Sequence, residues 1–157
     1  MPKIPKKYSL NISIAIAVLL LLICVVGLCL LPNITNMLID TPDGIGNRDN
    51  ISASGRMIVH ILAYIIVLFV MAADVCLFFL LLRVRAGMVF TATSVSLIRC
   101  ISWCCILICA AFCGLGVFFQ LAFFIAFAAL FLGTCLRVVK NTIEEATEIK
   151  SENDLTV

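Results

Sequence analysis

Between Arg99 and Arg137 the chain carries no charged residue, a run of 37 positions. A helix needs about 20 apolar residues to cross a hydrocarbon layer, so the run is too long for one crossing and suits two. Within it, "CGLG" at 113–116 holds two glycines, which permit a tight reversal. A reversal there predicts a third span at about 91–113 and a fourth at about 117–139. Two earlier runs, 11–31 and 57–82, are also free of charge except for Asp74, and each is long enough to cross. In lipid the backbone must satisfy its own hydrogen bonds, so these segments are helices. The sequence therefore predicts an all-α integral membrane protein with four transmembrane helices, one domain over 1–157. Composition agrees. Hydrophobic residues make up 64% of the chain, against about 45–50% in soluble domains. Too little polar surface remains to cover a globule in water.

Lys3, Lys6 and Lys7 precede the first run. Basic residues before an apolar run also describe a signal peptide. This run is too long and no A-x-A site follows, so an uncleaved first span is expected. Cys24 and Cys29 follow Ile23 and Leu28, where a lipidated cysteine wants a small residue. Residues 32–56, with "TPDGIGNRDN", read as an outer loop. With four crossings, Lys3, Lys6, Lys7, Arg83, Arg85, Arg137 and Lys140 fall on one side of the membrane. The positive-inside rule places that side, and both termini, in the cytoplasm.

Asp74 stands out as an ionisable residue inside an apolar run. It precedes Arg83 by nine positions, or about 13 Å along a helix. Such residues are rare in membrane spans and are usually paired or functional. Arg99 lies at comparable depth in the third span, so an Asp74–Arg99 ion pair is expected, acting as a clasp between helices or as a relay. His60 and Gln120 lie near the outer ends of their helices, within reach of a shared hydrogen bond. The nine cysteines show no C-x-x-C pairs in loops, and most sit in apolar helix. They read as small packing residues, with thiol redox sensing as the sharper alternative. No metal site and no cofactor is expected. The loop aspartates lack the order of a calcium loop, and no phosphate-binding or metalloprotease motif occurs. A single histidine leaves few parts for acid–base catalysis, so the protein is expected not to be an enzyme. Asn11, Asn33 and Asn50 each begin an N-x-[ST] triplet, of which only the last two would face outward.

The fourth span has two stripes. Ala122, Ala126, Ala129 and Gly133 recur at helical spacing and allow close helix approach, within the chain or in a homo-oligomer. Phe119, Phe123, Phe127 and Phe131 form a bulky stripe beside them. Beyond it, "NTIEEATEIKSENDLTV" keeps helical spacing at Val139, Ile143, Ala146 and Ile149, predicting a short amphipathic extension of the helix. Lys140 can pair with Glu144 at i,i+4. Five acids face one lysine over 144–154. An acidic tail is repelled by the negative inner leaflet and projects away from it.

The final "ENDLTV" and the stretch "FTATSVSLIRCISW" resemble the bacterial membrane family named domain of unknown function 2975. Phe90, Thr91, Val95, Ile98 and Arg99 fit that family's F-T-x-x-x-V-x-x-[LI]-R pattern, while Val89 and Ser94 stand where it favours Pro and Asn. The resemblance implies a four-helix inner-membrane protein, often encoded beside a small helix-turn-helix regulator. It also implies motifs on the cytoplasmic side. On that basis Phe90, Thr91, Glu152, Asn153, Asp154, Leu155, Thr156 and Val157 are candidate docking residues for a cytoplasmic DNA-binding regulator. Such a regulator would present basic surface to the acidic tail. The bilayer is the other expected partner, and no direct contact with nucleic acid is expected. Two alternatives remain open. One is a small transporter or channel using Asp74 and Arg99. The other is immunity to a membrane-active peptide through the outer loop.

Overall fold

A computed structural model describes residues 6–40, 52–88 and 90–154. The described chain forms four helices: α1 (Lys6–Asp40), α2 (Ala53–Arg85), α3 (Ala92–Gly116) and α4 (Leu121–Asp154). Each is long and apolar enough to cross a membrane. The all-helical, four-span architecture expected from the apolar runs is present.

The helix ends differ from the expected boundaries, and each difference has a physical reason. The first helix does not stop at Leu31 but passes through Pro32 to Asp40. Pro32 removes one backbone donor, yet residues 34–39 stay uncharged, and in apolar surroundings an unwound backbone is worse than one missing bond. The Thr35 hydroxyl donates to the Leu31 carbonyl at 2.9 Å, and Thr35 is buried. Ile39 then joins a buried cluster with Val59, Ile66, Ala111, Leu115 and Ala122, which draws on all four helices. The second helix starts at Ala53 rather than near 57. Ser52 caps it, its side chain accepting the Gly55 N–H at 3.2 Å. The loop expected at 32–56 is thus helical at both ends. Arg56 bonds Asp40 across it at 2.7 Å, though both side chains are exposed and such pairs contribute little.

The link from α2 to α3 is tightly specified. The Gly87 N–H bonds the Val84 carbonyl at 3.1 Å and the Met88 N–H bonds the Arg83 carbonyl at 3.0 Å. This is the Schellman pattern, and it needs a left-handed residue after the helix. Gly87 supplies it, with φ of 77°. A side chain there is strained, so Gly87→Ala should lower stability by about 1 kcal/mol. Equilibrium unfolding in mixed micelles would show it. Thr91 then caps α3, accepting the Ser94 N–H at 3.3 Å. Ser94, almost fully buried, donates its hydroxyl to the Met88 carbonyl at 3.1 Å.

The reversal between α3 and α4 is not at the glycines. The helix continues through Gly114 to Gly116, and the turn occupies 117–120. Those glycines serve close approach instead. A Cβ on Gly116 would lie 2.7 Å from the Phe123 ring, and one on Gly114 would lie 3.2 Å from a Leu62 methyl. Both contacts use the missing side chain, not an unusual backbone.

Backbones come within 8 Å only between consecutive helices: α1 with α2, α2 with α3, α3 with α4. The helices form an open series, not a closed bundle. α3 has neighbours on two sides and carries the most buried positions. Along α4, Ala122, Ala126 and Gly133 are buried and Ala129 is partly so, and Gly133 lies against Cys105 and Ser102 of α3. The small-residue stripe therefore packs within the chain. Phe123, Phe127 and Phe131 are exposed, as side chains facing lipid would be.

Candidate functional site

Besides the Asp40–Arg56 pair, polar chemistry in the described residues collects in two places. The first is Asp74 on α2. It is buried at 7% exposure, and neither carboxylate oxygen has a hydrogen-bond partner. The expected Asp74–Arg99 pair is not formed. Arg99 instead donates to Glu144 Oε1 of α4 at 3.0 Å. Depth along the helices suits an Asp74–Arg99 pair, but direction around them does not. Successive helical residues turn by about 100°. On α3, Cys100 meets Cys76 of α2, with the two sulfurs 3.4 Å apart. Arg99, one residue earlier, is turned toward α4 together with Ser102. On α2, Cys76 faces α3, so Asp74, two residues before it, points to the far side.

The second place joins α3 to α4. Glu144 accepts from Arg99 and also pairs with Lys140 one turn back, the i,i+4 pairing expected from sequence. Lys140 bonds the Asn141 side chain at 3.2 Å. Arg137 lies over the Trp103 ring, 5.2 Å from its centroid. Deeper in the membrane, the Ser102 hydroxyl donates to the Gly133 carbonyl at 2.9 Å, a buried bond between the two helices. Beyond the clamp, Ala92, Val95, Ser96 and Arg99 face Glu144, Thr147 and Glu148 across a cavity of about 340 Å³. The clamp is exposed and screened. Arg99→Gln should therefore destabilise less than Gly87→Ala, and 1 M salt should erase the difference from the parent. Unfolding midpoints at low and high salt test this.

The remaining sites fall as follows. Phe90 is 47% exposed. Thr91 is committed to the α3 cap, and Val95 and Ile98 are buried. The motif around Arg99 thus reads as a helix start, two core positions and one arm to α4. Glu152, Asn153 and Asp154 lie at the end of α4 with side chains outside the described residues, and Leu155, Thr156 and Val157 also lie outside them. His60 does not reach Gln120; its Nδ1 meets the Arg56 carbonyl at 2.8 Å. All nine cysteines are free thiols. Among the described residues, no group of three or more His, Cys, Asp or Glu is arranged to hold a metal. The Arg99–Glu144 clamp and the Ser102–Gly133 bond escape sequence reasoning. A hydroxyl residue facing a glycine on the next span is the signal that could have found the second.

Four membrane-crossing helices with a charged cluster where α3 begins and α4 leaves its apolar run define a small multi-pass membrane protein. The chain belongs to the family described as Protein of unknown function (DUF2975), whose model matches residues 44–157. The match takes in α2, α3 and α4 and leaves α1 outside. No curated protein and no solved structure matches the chain.

Proposed function

We propose that this is a non-enzymatic bacterial inner-membrane protein, both termini cytoplasmic, that docks or controls a cytoplasmic partner such as a small helix-turn-helix regulator. One observation carries the reading: Arg99 ties the start of α3 to α4 beyond its apolar run. That clamp holds the polar end of α4 beside the α2–α3 link, which gives a partner a built platform. Phe90 is an exposed aromatic on that link. The acids at 144, 145, 148, 152 and 154 supply a field that favours a basic partner. In this reading the extension of α4 past Lys140 is an amphipathic arm in the cytoplasm.

The test compares the full chain with a version ending at Ser151, crosslinked in its native cell and analysed by mass spectrometry. A DNA-binding regulator captured by the full chain alone supports docking. Identical captures from both versions count against it. A second reading, a small transporter, has one observation in its favour, the buried and unpartnered Asp74. Proton-coupled uptake into liposomes that is lost in Asp74→Asn would replace the first reading with the second.

A further inference from the structure

Arg99, Ser102 and Trp103 of α3 and Arg137, Lys140 and Asn141 of α4 line a cavity of about 220 Å³. Three of these six side chains are cations and none is an acid. Glu144, bonded to both Arg99 and Lys140, returns one negative charge at the edge. A surplus of positive charge remains in a cleft between two helices. Arg99 has five N–H donors on its guanidinium, and Glu144 takes one Nη. Asn141 receives a bond from Lys140 through its oxygen, which leaves its amide N–H group as a further donor.

The position of the cavity matters as much as its charge. Arg99 and Arg137 bound the uncharged stretch, so the cavity lies where hydrocarbon gives way to head groups. Trp103 is 53% exposed there, at the level where membrane tryptophans commonly sit. The surrounding α4 surface is apolar and open, with Val138 at 66% and Phe131 at 61% exposure. A small dissolved anion has no use for that surface, whereas an acyl chain does.

We propose that this cavity binds a phosphate-bearing anion, held as the head group of an anionic phospholipid whose acyl chain lies along α3 and α4. The phosphate accepts hydrogen bonds from Arg99, Lys140 and Asn141, and Arg137 is steered toward it by the Trp103 ring. A zwitterionic lipid brings its own cation and cancels the advantage. The lipid and Glu144 share Arg99 and Lys140, so head-group binding loosens the clamp between α3 and the end of α4.

Trp103 is the only tryptophan in the chain, so its fluorescence reports on this site alone. The full chain is reconstituted into phosphatidylcholine bilayers containing phosphatidylglycerol or phosphatidylcholine with brominated acyl chains, which quench indole on contact. Brominated phosphatidylglycerol should quench Trp103 more strongly at equal mole fraction. Lys140→Gln and Arg99→Gln should each reduce that preference by about fivefold. Glu144→Gln should raise it, a change of opposite sign that misfolding would not produce. Arg85→Gln, at the same end of the molecule but outside the cavity, should leave it unchanged. Equal quenching by the two lipids overturns the proposal, and so does a loss in Arg85→Gln as large as in Lys140→Gln. A final arm uses inorganic phosphate. If millimolar phosphate shifts Trp103 emission in lipid-free micelles and abolishes the lipid preference in bilayers, the site takes a dissolved anion and the lipid assignment fails. If phosphate leaves the preference intact, the lipid assignment stands.

Discussion

Replacing Asp74 with leucine is expected to stabilise the protein by about 2–3 kcal/mol. Leucine keeps the branch at Cγ and puts methyl groups where the two oxygens lie. Those oxygens are buried without partners, and a polar group taken from water with nothing in exchange is unfavourable in either protonation state. Removing the group removes that penalty. Asp74→Asn should gain less, because an amide is still polar. Reversible unfolding in mixed micelles measures both. A loss of stability in Asp74→Leu would mean that the carboxyl has a partner, such as a water or an ion, and would strengthen the transport reading. A gain would mark Asp74 as a residue kept at the expense of stability, as functional positions often are.

Gly133→Leu is expected to act in the opposite direction, with a loss of about 3 kcal/mol. A Cβ at Gly133 would lie 3.2 Å from Cys105 Cβ and 3.4 Å from the Ser102 carbonyl oxygen. One of these neighbours is backbone and the other is anchored at the base of its side chain, so neither swings away. A leucine must push α4 off α3. The displacement also breaks the Ser102 hydroxyl bond to the Gly133 carbonyl, a bond that lies in apolar surroundings with no water to replace it. Gly133→Ala should cost less, since a single methyl needs only a few tenths of an ångström. The same unfolding assay separates the two. If Gly133→Leu were neutral, the close contact between α3 and α4 would be wrong.

The number of helices is legible in the sequence because charge is so rare in it. Arg99 and Arg137 bracket two crossings, and length does the rest. Helix ends are less legible, since their usual signals lose force in lipid. Pro32 and Gly114 would end a helix in water, where an unwound backbone is solvated. Without water the helix runs on, by nine residues in the first case. The Asp74–Arg99 pair fails for a different reason. Position along a span gives depth, but a contact also needs the right side of the helix. The sides appear only in the structure, where Cys100 meets Cys76 of α2 and Ser102 meets Gly133 of α4. The tail acids show the same limit. Glu144 is one of five similar residues by composition, and only the approach of α3 singles it out as the partner of Arg99.

Because the backbone of each helix approaches only that of the helix before and after it, packing joins consecutive helices along the chain. Chains of this kind fold by local steps, with small loop-closure entropy at each one. During synthesis α1 and α2 can lock together before α3 exists, and α3 can dock on α2 before α4 arrives. Each new helix adds its packing to the helix just before it. The last contact to form is also the most charged one, where Arg99 closes onto Glu144. Assembly in the membrane thus resembles closing a folding screen panel by panel, with its latch on the final panel.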